Sequence, residues 1–182
     1  MSGVVVCLAA SGFVAELTSA QGGRVIRAVN VSIPAGGKRE VTVPIQLESQ
    51  GNESSASFSL RFNPFVALNP VVALGSGVRP GSILEINTTN LAQGQIGVFV
   101  RSTATYPPGT HTIVTFTFTV PATVAVGTYP VGFGSVPTSQ NVSSSAGVLL
   151  PTTYEQGFVV IGAATSGVEI FRAGCSRRTA EA

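Results

Sequence analysis

The sequence predicts an all-β protein, with two sheets packed face to face as a sandwich or a jelly roll. Three observations lead there. Apolar and polar residues alternate with a period of two through most of the span from Arg24 to Ile161, and a strand sends successive side chains to opposite faces. Turn signals rich in Gly, Pro and Asn recur roughly every eight to twelve residues, the spacing of sandwiches and barrels. No segment of this span repeats its apolar residues with the helical period.

Residues 1–23 stand apart from this pattern. They open on an apolar run, contain the best helical stretch, CLAASGFVAEL, and read as a leader or an upstream remnant. Their length and the small residues Thr18-Ser19-Ala20 fit a secretory signal. The absence of Lys or Arg before Arg24, and the presence of Glu16, do not.

The patterned body, 24–162, first shows the turn IPAGGKRE, where Gly36 and Gly37 tolerate a positive φ. REVTVPIQLES follows, with Val41, Val43, Ile45 and Leu47 on one face and Thr42, Pro44, Gln46 and Glu48 on the other. Pro44 has no N–H to offer a neighbour, so this strand is expected at an edge or with a bulge. After the loop SQGNESS come ASFSLRF, FVALNPVVAL, SILEINTT and GQIGVFVR as further strands. THTIVTFTFTVP aligns Val114, Phe116, Phe118 and Val120. GTYPVGFGS aligns Tyr129, Val131 and Phe133, and GFVVIG closes the body. Phe58, Phe62, Phe116, Phe118 and Phe133 are the expected filling between the sheets. The remainder, 163–182, reads as a linker and a disordered tail.

What the chain lacks restricts its chemistry. It has no Asp, no Trp and one His, and its eight acidic residues are all Glu. No calcium loop of the DxDxDG kind can be written, and no GxSxG elbow presents a nucleophile. Cys7 and Cys175 lie at opposite ends, without zinc-site spacing, and read as two unpaired thiols. The expectation is a protein that is not an enzyme and needs no cofactor or metal. His111, just after a Pro-Pro-Gly turn, reads as an exposed turn residue.

Charged residues make up only 10% of the chain, and the formal charge is +2. Cations adjoin only at Lys38-Arg39 and Arg177-Arg178, so no stripe suited to nucleic acid is visible. No apolar run reaches the ~18 residues a membrane span requires. Low charge with abundant Ser, Thr and Gly points to an extracellular or cell-surface protein. N-x-S/T sequons occur at Asn30, Asn52, Asn87 and Asn141, about as many as a Ser/Thr-rich chain yields by chance.

The order of these pieces resembles the cohesin family. The resemblance runs from Val25 to Ile161 and rests on GGKREVTVPIQLES, then FSLRFNP, GQIGVFV, VTFTFTVPATVAVGTYPVGFGS and GFVVIG. FSLRFNP, Phe58 to Pro64, is its most specific part, matching alternating aromatics, a basic residue, an aromatic, then Asp or Asn before Pro. The resemblance implies a jelly-roll β-sandwich of about nine mostly antiparallel strands in two sheets. It also implies a non-catalytic recognition module that docks a dockerin-like protein on one exposed sheet face, a monomeric module of a larger protein. Family positions that contact dockerin through an acidic residue and an Asn align with Ser57 and Ser55 here.

The expected contact face is therefore Ser55, Ser57 and Ser59, with Arg61 and Arg101 ending strands that could lie side by side and anchor a partner. A polysaccharide-binding module remains open, working from the same face or from loop ends bearing Tyr106 and Tyr154. So does a structural spacer, because Ser and Thr rows also suit a merely solvated pleated surface.

Overall fold

The computed structural model describes residues 23–36 and 39–162. The leader through residue 22, the linker and tail from 163, and with them both cysteines, lie outside the described residues. In chain order the strands are β1 (Val25–Ala28), β2 (Val31–Pro34), β3 (Arg39–Ser49), β4 (Glu53–Arg61), β5 (Leu68–Leu74) and β6 (Ile83–Asn87). After a single 3-10 turn at Leu91–Gln93 come β7 (Gln95–Arg101), β8 (Gly109–Val120), β9 (Gly127–Gly134), β10 (Asn141–Ser144), β11 (Thr153–Glu155) and β12 (Gly157–Gly162).

Two sheets result, ordered β11-β1-β3-β8-β5 and β2-β12-β9-β4-β7-β6, with β10 added alongside β4. Among the described residues the pairings are antiparallel except β1 with β11 and β12 with β2. The all-β sandwich is as the alternation predicted, but the strands among the described residues number twelve rather than about nine. Short pieces make the difference: β1, β2 and β10 have four residues each and β11 has three. Such segments hold too few alternations to show a period.

The core is the meeting of the two apolar faces. Val43, Ile45 and Leu47 of β3 and Val114 and Phe116 of β8 are fully buried against Phe58 and Leu60 of β4 and Val98 and Val100 of β7. Phe62 and Phe116 pack with ring centroids 5.0 Å apart, as do Phe116 and Phe118. Phe133, half-buried, meets Phe58 edge-on at 5.4 Å. All five expected phenylalanines therefore sit in or against the layer between the sheets.

Pro44 is not on an edge strand, since β3 lies between β1 and β8. The expected bulge is present, between Ile45 and Gln46. The β1 ladder ends at Ala28 opposite Ile45, and the Pro44 carbonyl then accepts the Val29 N–H at 2.9 Å. A residue's N–H and C=O leave the same side of an antiparallel strand, so the missing donor faces the end of β1, where no ladder partner waits.

One end of the sandwich is closed by a buried ion pair. Arg24 and Glu53, 6% and 0% exposed, are joined by a bond from Arg24 Nε to Glu53 Oε1. The same guanidinium donates to the Pro151 carbonyl and to Asn52 Oδ1, both at 2.9 Å. The Glu53 carboxylate also accepts the Ser49 hydroxyl and the backbone N–H groups of Gln50, Gly51 and Asn52. Burial alone would raise the Glu53 carboxyl. The donors, Ser49, Gln50 and Arg24 foremost, outweigh it and hold the group at about 2.

His111 is not a turn residue. It belongs to β8, is half-buried, packs its ring 5.6 Å from that of Tyr106, and places Nε2 2.8 Å from the Pro107 carbonyl.

Candidate interaction face

The outer face of the seven-stranded sheet is set by the register of β4, β7 and β6. Ala56, Phe58 and Leu60 point inward, so Ser55, Ser57, Ser59 and Arg61 lie on the opposite face. Ser55 pairs with Arg101, which pairs with Ile83. Ser57 pairs with Phe99, which pairs with Glu85; Ser59 pairs with Gly97, which pairs with Asn87; Arg61 pairs with Gln95. On the other side of β4, Ser143 and Asn141 of β10 extend the first two rows, and Gly134 and Gly132 of β9 extend the last two.

Arg61 and Arg101 are not neighbours. Antiparallel pairing puts Arg101 beside Ser55, six positions from Arg61, about 20 Å along the strand. The two cations stand at opposite ends of the face, and neither makes an ion pair with a described residue.

The serine hydroxyls are already engaged. Ser55 Oγ and Ser143 Oγ share a hydrogen bond of 2.6 Å, and Ser57 Oγ donates to the Ser139 carbonyl at 2.9 Å. Ser59 Oγ donates to the Thr138 carbonyl at 2.9 Å and accepts its N–H at 2.8 Å. Thr138 thereby lies across the face above Gly97, where an added Cβ would come within 2.1 Å of Thr138 Oγ1. Ser59 is fully buried beneath this segment and is unavailable to a partner, which corrects its place in the expected contact face. Ser55 and Ser57 stay half-exposed, while Arg61 and Arg101 are exposed.

Between the covered row and Arg101 the face carries Phe99, half-exposed and flanked across strands by Ser57 and Glu85. It lines two shallow depressions, one shared with Ser55, Arg101 and Ser143 and the other with Ser57, Glu85 and Asn87. Phe99 was not among the expected contacts, although its signal was present. In QIGVFVR the residues Ile96, Val98 and Val100 set the inward parity, which leaves Phe99 as a lone aromatic on the polar face.

The aromatics named for a loop-end sugar site are not arranged as platforms. Tyr106 is 3% exposed, and burial pushes its phenol up to about 12, opposed by the Ser102 hydroxyl. Tyr154 is half-buried, edge-on to Phe133 at 5.5 Å. No cluster of three or more His, Cys, Asp or Glu side chains occurs among the described residues, and none of their helices is long and apolar enough to cross a membrane.

No sequence-family profile and no curated protein matches the chain. Solved structures do. The seventh ScaB type I cohesin from Pseudobacteroides cellulosolvens superposes with a TM-score of 0.63 at 17% identity, over 81% of this chain and 96% of that one. A non-cellulosomal cohesin from the archaeon Archaeoglobus fulgidus gives 0.60 at 15%, over 76% and 91%. The cohesin of a type I cohesin–dockerin complex from Clostridium thermocellum, Coh-OlpA-Doc918, gives 0.63 at 16%, over 76% and 99%. The fold is cohesin-like.

Proposed function

We propose that this chain is a non-catalytic recognition module that docks a protein partner of the dockerin kind on the outer face of β4, β7 and β6. The observation that carries it is Phe99, an aromatic half-exposed on a flat sheet face and bordered by Ser55, Ser57 and Arg101. An apolar centre inside a polar rim is how protein interfaces are built. The face consists of paired strands, so docking needs no cofactor and little ordering of the chain. Fold neighbours that include cohesin–dockerin complexes support the same reading. With Ser59 covered, the contact falls on Ser55, Ser57, Phe99 and Arg101, with Arg61 at the far rim. The role belongs to an extracellular or cell-surface protein, of which this is one monomeric module.

The test is capture of the chain on a panel of immobilised dockerins. The wild-type chain is retained. Ser57→Arg, which places a long cation beside Phe99, is not retained and stays folded, with a Tm lowered by no more than the lost bond to the Ser139 carbonyl accounts for. Retention of Ser57→Arg would move the contact off this face, and no retention by any dockerin would count against the docking role.

A further inference from the structure

A second feature of the sheet lies at its other end and has different chemistry. We propose that the depression beside Arg61 binds an acidic saccharide, a uronate-type sugar whose carboxylate pairs with the Arg61 guanidinium. The depression measures about 440 Å³, within the range of small-molecule sites, and is lined by Arg61, Asn63, Gln93, Gln95 and Gln156. The side chains of Arg61, Gln93, Gln95 and Gln156 make no hydrogen bond or ion pair with any described residue. No carboxylate lines the space, so its one charge is positive.

Gly94 and Gly132 line the depression, and Gly134 lies beside its arginine. A Cβ at Gly134 would lie 2.8 Å from Arg61 Cδ, and one at Gly132 would lie 3.7 Å from Gln156 Cβ. Because Gly134 has no Cβ, the Arg61 stem can lie against β9, and Gln156 stands beside Gly132, the cross-strand neighbour of Arg61. A guanidinium presents paired N–H donors in the geometry of a carboxylate. Each carboxamide offers both donors and an acceptor, which matches the hydroxyls of a sugar. An acidic side chain on a protein partner would occupy Arg61 and leave three carboxamides without a role, so the observations favour the saccharide. The proposal does not depend on docking at Phe99: Arg61 pairs with Gln95, and Phe99 lies four positions further along β7.

Affinity electrophoresis of the full chain in gels cast with polygalacturonate, with its fully methyl-esterified form, or with poly-glutamate tests this. The expected result is retardation by polygalacturonate alone. Arg61→Gln should weaken it roughly tenfold or more, the loss expected for one charge-assisted pair. Gln156→Ala should weaken it less. Arg101→Gln removes the same charge from the other end of the face and should leave it unchanged. Equal mobility in all gels would overturn the proposal. So would equal loss with Arg61→Gln and Arg101→Gln, which would mean attraction of a basic chain to any polyanion. Equal retardation by poly-glutamate would reassign the site to an acidic protein segment.

Discussion

Ser59 holds Thr138 by both of that residue's backbone polar groups, giving its hydroxyl hydrogen to the carbonyl and taking the N–H in return. A side chain placed to read as part of a docking row instead acts as a clasp for the segment between β9 and β10. Ser59→Ala leaves a covered N–H and C=O without this partner, a loss of about 1–3 kcal/mol. Gly97→Ala reaches the same end from the other side, because its Cβ would overlap Thr138 Oγ1. Both variants should denature at lower urea and lose hydrogen-exchange protection at the Thr138 amide. A wild-type denaturation midpoint for Gly97→Ala would show that Thr138 does not rest there.

The Arg24–Glu53 pair predicts how the fold responds to acid. The native carboxyl takes its proton only near 2, against 4.5 for the ordinary group. Between those values the unfolded chain binds more protons, so stability falls as pH drops through that window. This contribution comes from all the donors to the carboxylate, Ser49 and Gln50 before Arg24, and is present above pH 4.5 and lost as pH approaches 2. Glu53→Gln leaves Arg24 buried without its counter-charge, at a cost of about 3–5 kcal/mol. It should also flatten stability against pH across the same window. Denaturant titrations of both proteins at several pH values would measure this, and parallel profiles would disprove the assignment.

Much of the fold was legible because period-two alternation is a local signal. Val41 to Leu47 and Val114 to Val120 declared their inward faces, and the five core phenylalanines followed from parity. What stayed hidden depends on contacts between distant segments. Nothing local to Ser59 says that Thr138, seventy-nine positions later, will cover it. Nothing local to Arg61 and Arg101 gives the register that sets them at opposite ends. Phe99 was legible by parity, whereas the convergence of Gln93, Gln95 and Gln156 needed three separate elements to be placed.

The stretch SFSLRFNPF supplies a contrast between two phenylalanines seven positions apart. Phe58 is fully buried and touches Phe133 edge-on, whereas Phe65 is 83% exposed on the turn held by Asn63. Phe58→Ala should cost about 3–5 kcal/mol, since it removes buried area and leaves a cavity. Phe65→Ser should change stability by no more than about 0.5 kcal/mol. Thermal denaturation of the two variants checks both values, and a large loss at Phe65 would mean that another part of the chain covers it.

The hydroxyl rows on the two outer faces differ in what they do, and a charge placed on each separates them. On the five-stranded sheet Thr42 and Thr117 pair across β3 and β8 with their hydroxyls 2.9 Å apart. They bond to each other rather than to an overlying segment, as β-branched residues on a solvated pleat do. Thr117→Arg should therefore shift stability by about 0.5 kcal/mol at most and leave dockerin capture intact. Ser57→Arg, equally charged, gives up the bond to the Ser139 carbonyl at a cost of about 1 kcal/mol, and should lose capture because its cation intrudes beside Phe99. Surface binding on immobilised dockerin reads both at once. Loss with both variants would mean that added positive charge alone repels the partner, and loss with Thr117→Arg alone would transfer the docking site to the Thr face.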